Sequence, residues 1–223
     1  MHSYVVIQNT YAIFEMALFI NDTLLDRVHE DKRHASKLFI PLLNQLLTQN
    51  NSTLSALSFC AVNCGPGPFS TLRSIIASAN GLHCATKIPL ISIDGLYATF
   101  SEFYDNTYQH TIVLLNAFNN EVYYLRADKK HVVTQGYKKI EQLLADTQDA
   151  LPNEQLYFIG NGTTLYQDLI TSFFGNNAII PNNNPQFCSV EYIGKMGLEA
   201  FINNKIAPDY LMPLHLKKHP VEL

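Results

Sequence analysis

The stretch YVVIQNTYAIFEMALFINDTLLDRV, residues 4–28, decides the fold class. Its first run, Tyr4 to Gln8, is apolar and β-branched; Asn9-Thr10 breaks it, and a second apolar run continues from Ala12 to Ile20. Asn21-Asp22 reads as a hairpin turn, and Thr23 to Val28 completes an antiparallel meander of three strands. Downstream the periodicity predicts a helix over Ala35 to Thr48, a strand over Leu57 to Asn63, a Gly/Pro turn and a helix over Ser70 to Ala85. A strand over Leu90 to Ile93 and a short helix over Leu96 to Phe103 follow. The order β-β-β-α-β-α-β-α predicts an α/β protein with mixed sheets flanked by helices, the order of the actin-like ATPase (ribonuclease H-like) folds.

The polar, poorly periodic segment from Ser101 to Gln109 divides the chain into residues 1–108 and 109–223. Beyond it, His110 to Leu115 and Glu121 to Ala127 read as strands. Weaker segments follow: a helix over Ile140 to Ala145, a strand over Leu156 to Ile159, and helices over Thr164 to Phe173 and Glu191 to Asn203. The second half reads as a reduced partner of the first.

At 223 residues the chain needs no metal or disulfide staple to fold. Charged residues make up only 15%, below the roughly 25% usual for a globular domain, and asparagine-rich turns supply part of the missing polarity. Fifteen Lys and Arg against nineteen Asp and Glu leave a net charge of −4, with no long basic run. That argues against a self-sufficient nucleic-acid binder, which needs clustered cations. No stretch approaches the ~20 apolar residues that span a bilayer, and Met1-His2-Ser3-Tyr4 lacks the charged start of a signal peptide. The expected location is the cytoplasm. Cys60, Cys64, Cys84 and Cys188 match no metal-ligand spacing and read as buried reduced thiols.

Chemistry on this fold requires acids that the chain lacks at the relevant places. A nuclease would hold paired divalent ions with carboxylates on its first and fourth strands, whose ends carry Gln8 and Asn63. An ATPase or sugar kinase would need a glycine-rich turn and an acid after the first strand, where Gln8-Asn9-Thr10-Tyr11 has neither. In the second half Asn116-Ala117-Phe118 again places an amide where an acid would stand. No helical pair of histidines marks a zinc site, and His34 and His83 read as surface or core residues. The expectation is no catalytic residue, no metal and no cofactor.

Two helices carry the informative pattern. Gly65-Pro66-Gly67-Pro68-Phe69-Ser70 links a strand to a helix; two prolines remove two backbone donors, so it reads as a rigid corner rather than a phosphate nest. Arg73 in the first helical turn opposes the dipole and calls for a carboxylate or carbonyl partner. One side of that helix, Leu72, Ile75, Ile76, Ala79 and Leu82, is spaced to pack on a sheet. The other, Ser70, Ser74, Ala77, Ser78, Gly81 and Ala85, is small and uncharged, and either face is open to a neighbour. In the preceding helix Leu38, Phe39, Ile40, Leu42, Leu43, Leu46 and Leu47 spread further around than one sheet contact covers. Together the pair predicts a helical interface, either of the two helices with each other alone or, the favoured reading, with a second chain, centred on Leu38, Leu42, Leu46, Ser74, Ala77, Ser78, Gly81 and Ala85.

The run from Cys64 to Arg73, continuing to Gly81-Leu82 and Ile88-Pro89-Leu90, resembles the Gly-Pro-Gly-Ser-Phe-Thr-Gly-x-Arg signature of the TsaB (YeaZ) family through Gly65, Pro66, Gly67, Phe69 and Arg73. Arg33-His34 with Pro41, Asn120-Glu121-Val122-Tyr123, and Pro213-Leu214-His215-Leu216-Lys217 extend the likeness along the chain. Departures are Pro68 for Ser, Thr71 for Gly, Cys64 where Arg is common, Gln8 for an acid, and Asn116-Ala117-Phe118 for Asp-Ala-Arg. The resemblance implies a two-subdomain actin-like protein with no catalysis of its own. It implies pairing with the catalytic subunit TsaD, an ATPase, TsaE, joining that pair, a homodimer when alone, and tRNA met only through the complex. The modification is threonylcarbamoyl transfer to the adenosine next to the anticodon in tRNAs reading codons that begin with A. The rival readings are an actin-like-fold enzyme, phosphotransferase or peptidase, and a stand-alone homodimeric regulator.

Overall fold

The computed structural model describes residues 1–130, 132–207, 209–214, 216 and 217, and these form two compact units. The first comprises Met1–Ala98 with Ser189–Leu214. Its sheet runs β3-β2-β1-β4-β5, from β1 (Ser3–Asn9), β2 (Ile13–Ile20), β3 (Thr23–Asp31), β4 (Phe59–Asn63) and β5 (Leu90–Ile93). The meander β1–β3 is antiparallel, while β4 and β5 join in parallel on the other side of β1. Parallel neighbours need crossover helices, and α1 (Ala35–Gln49) and α2 (Phe69–Thr86) fill that role. Every residue of β1 from Tyr4 to Asn9 is buried, which explains its near-continuous apolar reading.

One face of this sheet carries α1 and α2 over a core that includes Val5, Ile7, Phe39, Leu43, Leu46, Ile75 and Leu90. A helix from far along the chain, Val190–Ile202, covers the other strand surface. Its approach is close: a Cβ at Gly197 would lie 2.6 Å from the Ala61 Cβ, so only glycine fits there. Beneath it Tyr4 stacks between Phe19 and Phe59 at 5.2 and 4.4 Å, Phe201 stacks on Phe59 at 4.6 Å, and the Tyr4 hydroxyl donates to Gly194 O. A single cut at 108/109 would assign this helix to the second half, yet it packs on the first sheet. The chain crosses within α3 (Gly95–Phe103), and the first unit is built from two separate segments.

The second unit, Thr99–Cys188 with Leu216 and Lys217, repeats the same topology. Strands β6 (His110–Asn116), β7 (Glu121–Asp128) and β8 (Val133–Lys139) form the antiparallel meander, and β9 (Leu156–Ile159) and β10 (Ala178–Ile179) add in parallel beyond β6. Helix α4 (Ile140–Ala150) stands where α1 stands in the first unit, and α5 (Asn161–Leu165) with α6 (Gln167–Phe174) where α2 stands. The expected single helix over Thr164 to Phe173 is therefore two, divided at Tyr166. The helix over Val190–Ile202 is α7.

Candidate functional site

The corner between β4 and α2 is held by its own backbone. Gly65 N donates to Asn63 Oδ1 at 2.9 Å, Gly95 N donates to Gly65 O at 2.7 Å, and Cys64 N donates to Ile93 O. Gly65 has φ +104°, and a Cβ there would lie 2.7 Å from Leu72 Cδ2, so the position excludes side chains on both counts. Pro66 is buried, Gly67 half-buried and Phe69 exposed. The Arg73 guanidinium lies 5.0 Å above the Phe69 ring rather than on the carboxylate or carbonyl expected from its place in the first turn. A cation on an aromatic face offsets an unfavourable helix dipole without needing an acid.

Two of the amides that stand where acids would be needed bond to nearby backbone. Asn63 accepts from Gly65, Asn116 Oδ1 accepts from Phe118 N, and the Asn161 side chain accepts from Asn116 N. Among the described residues no group of three or more His, Cys, Asp and Glu is placed to hold a metal ion. Three of the four cysteines are buried, and burial pushes the Cys60 thiol up to about 12. Cys84 departs from the expectation of a buried thiol, because it lies on the exposed side of α2. In the second unit a shallow cleft of about 370 Å³ is lined by Thr164, Gln167, Asn182, Asn184 and Gln186. Its Asn184 and Gln186 amides already donate to the Thr164 hydroxyl.

The surface of α1 and α2 is different. Leu42 and Leu46, expected at an interface, are 8% and 0% exposed and belong to the first unit's own core, because α1 packs against both β2 and α2. Leu38 is half-buried against the same core, and the outward apolar side chain of α1 is Ile40, 58% exposed. On α2 the small face does turn outward: Ala77, Gly81 and Ala85 are exposed, Ser74 and Ser78 half-buried. The Ser74 and Ser78 hydroxyls donate to the carbonyls four residues earlier, Ser70 O and Ser74 O, at 3.1 and 2.9 Å. Their donors are satisfied inside the helix, so the stripe presents carbon, not unmet polar groups. A Cβ at Gly81 meets nothing within 4 Å, so this chain's own packing gives no reason for glycine in mid-helix.

A segment after α7 borders this face and was not singled out from the sequence. The Asn80 amide on α2 both donates to Leu211 O and accepts from Leu211 N, at 3.0 and 2.8 Å. Leu211 is buried in the core, and its neighbours Tyr210 and Met212 point out at 60% and 61% exposure. Burial alternates over Tyr210-Leu211-Met212, but all three residues are apolar, so the sequence carries no alternating pattern that marks it. Of the terminal match, His215 lies outside the described residues. Leu214 N donates to Cys64 O, and Lys217 Nζ lies 3.0 Å from Glu121 Oε2 and 4.8 Å above the Tyr137 ring.

A family model described as TsaD, tRNA N6-adenosine threonylcarbamoyltransferase, matches residues 26–201. A Haemophilus influenzae protein named tRNA threonylcarbamoyladenosine biosynthesis protein TsaB is 24% identical over 81% of this chain and 80% of its own length. The chain belongs to the TsaB (YeaZ) family. A solved Pseudomonas aeruginosa protein, described as similar to peptidase YeaZ, superposes with a TM-score of 0.75 at 17% identity, covering 97% of this chain and all of that one. A Bacteroides thetaiotaomicron protein described as having an actin-like ATPase fold superposes at 0.53 and 7% identity, over 87% of this chain and 95% of its own. The fold is thus the actin-like one expected from element order. The TsaB-family signature residues Gly65, Pro66, Gly67, Phe69 and Arg73 sit together at the β4–α2 corner, directly before the small-residue stripe.

Proposed function

We propose that this TsaB-family chain is a non-catalytic scaffold in tRNA threonylcarbamoyladenosine biosynthesis, pairing through α1 and α2 with a TsaD-like catalytic subunit and activating it. The observation that carries the reading is the α2 stripe: two serines bonded back into the helix and a glycine with open space above it. Small residues let a partner helix approach to the near end of the usual 8–10 Å spacing, where van der Waals contact is greatest. Ser74, Ala77, Ser78, Gly81 and Ala85 form the contact, Leu38 and Ile40 its edge on α1. Amides bonded to their own backbone at Asn63 and Asn116 support a role without bond-making. The transfer is to the adenosine next to the anticodon in tRNAs reading codons that begin with A. A TsaE-like ATPase acts on the assembled pair, and tRNA is reached through the complex, in keeping with the net charge of −4. The chain pairs with itself when alone.

The test is depletion followed by rescue. Loss of the protein should lower the threonylcarbamoyl nucleoside in bulk tRNA, measured by mass spectrometry of nucleosides. Wild type should restore it and Gly81→Arg should not, while the variant's melting curve stays cooperative. Full modification with Gly81→Arg, or turnover by the purified chain alone, would sink the proposal.

A further inference from the structure

The charges of these two helices are one-sided. Between them α1 and α2 carry no acid; Lys37 and Arg73 are their charged side chains, and Lys87 caps α2 in the left-handed region at φ 63°. All three are exposed, and among the described residues none has a carboxylate within ion-pair distance. Arg73 shares one helical stripe with Ala77, Gly81 and Cys84, at intervals of four, four and three residues. The nearest acids along the chain lie before α1 and after α2 and are engaged; beyond α2, half-buried Asp94 accepts from Leu96 N and Tyr97 N. Asp31 accepts two bonds from the Arg33 guanidinium, Glu30 lies 3.8 Å from His34 Nδ1, and Asp26 accepts from the Asn50 amide. Asp209, exposed beside Tyr210, is the acid on the bordering segment. In a chain of net charge −4 this cationic edge runs against the whole.

We infer that this face chooses its partner by charge: its small-residue centre, edged by Lys37, Arg73 and Lys87, fits a partner whose pairing helices are bordered by carboxylates and disfavours a second copy of itself. The inference deepens the scaffold reading and rests on it. A two-fold pair brings the same patch from both copies. Whether the facing helices run parallel or antiparallel, α1 and α2 of a second copy then bring cations against cations. Exposed edge charges contribute little to affinity one by one, but they govern encounter rate and the rejection of wrong partners. Self-pairing is thereby left weak enough for an acidic-edged partner to displace it.

The experiment uses the full chain and the double variant Lys37→Glu with Arg73→Glu, its fold checked by melting. Against the TsaD-like subunit of the same organism, the variant should associate about tenfold more slowly than wild type at low salt. The gap should close near about 0.5 M salt, where the screening length falls to a few ångströms. When wild type and variant are mixed alone at low salt, native mass spectrometry should show the mixed pair above its statistical share. An unchanged association rate overturns the inference, as does a mixed pair at or below its statistical share or absent altogether. Should wild type fail to bind the TsaD-like subunit at any salt, the scaffold reading falls, and the mixed-pair result still decides the charge rule.

Discussion

Gly81→Ala should strengthen the isolated chain and weaken its complex. A glycine in a helix interior costs about 0.8–1.0 kcal/mol relative to alanine, and at Gly81 the added methyl meets no atom within 4 Å, so no clash offsets that gain. The variant should therefore be more stable by about 1 kcal/mol, which for a chain of this size raises Tm by about 2–4 °C. In the proposed complex the same methyl would sit at the centre of the stripe, between Ala77 and Ala85 along the exposed face. Overpacking a close contact costs about 1–3 kcal/mol, so the dissociation constant from a TsaD-like subunit should rise about 5-fold to 150-fold at 1.4 kcal/mol per decade. Calorimetry reads both, by thermal scan for the chain alone and by titration for the pair. A raised Tm with unchanged affinity would refute the docking argument. A Tm that fails to rise would refute the open-space argument on which it stands.

Other consequences are independent of that one. Cys84, exposed on the docking stripe, should react with a maleimide in the folded chain and be protected by a bound TsaD-like subunit; Cys60, Cys64 and Cys188 should react only on unfolding, as read by intact mass. Leu46→Ala should cost about 2–5 kcal/mol in denaturant unfolding, since Leu46 is fully buried in the chain's own core and not at the docking surface. Burial, with the Glu191 carboxylate as a smaller cause, raises the Glu15 carboxyl above its ordinary value near 4.5, and Arg27 opposes the rise. A raised folded value means stability that is fully present below pH 4.5 and declines as pH climbs through the folded value. Glu15→Gln should therefore gain Tm over wild type at pH 7 and lose that gain at pH 4; an equal difference at both would count against it.

Much of the architecture was legible along the chain, because the elements that define it are buried. The runs at Tyr4, Ala12 and Leu57 read as strands since helices cover them, and Gly65-Pro66-Gly67 marked the corner because its backbone admits little else. Strand β8 escaped notice: Val133–Lys139 is a sheet edge with largely polar, half-exposed side chains and no apolar alternation to detect. The small face of α2 could be read from residue size alone. Which leucines of α1 faced inward could not, because an apolar wheel on its own does not say which neighbour arrives.

By itself the sequence determined the order of elements in the first half, the uncharged stripe from Ser74 to Ala85, and amides where a catalyst of this fold would need acids, all properties local to a few residues. Tertiary structure decided the rest. It sent α7 back onto the first sheet through Gly197, drew Leu42 and Leu46 into the core, and set Leu211 into the Asn80 amide so that Tyr210 and Met212 stand outward. Burial is a property of pairs of elements, and two of these pairs, Gly197 on Ala61 and Leu211 on Asn80, join residues more than a hundred positions apart.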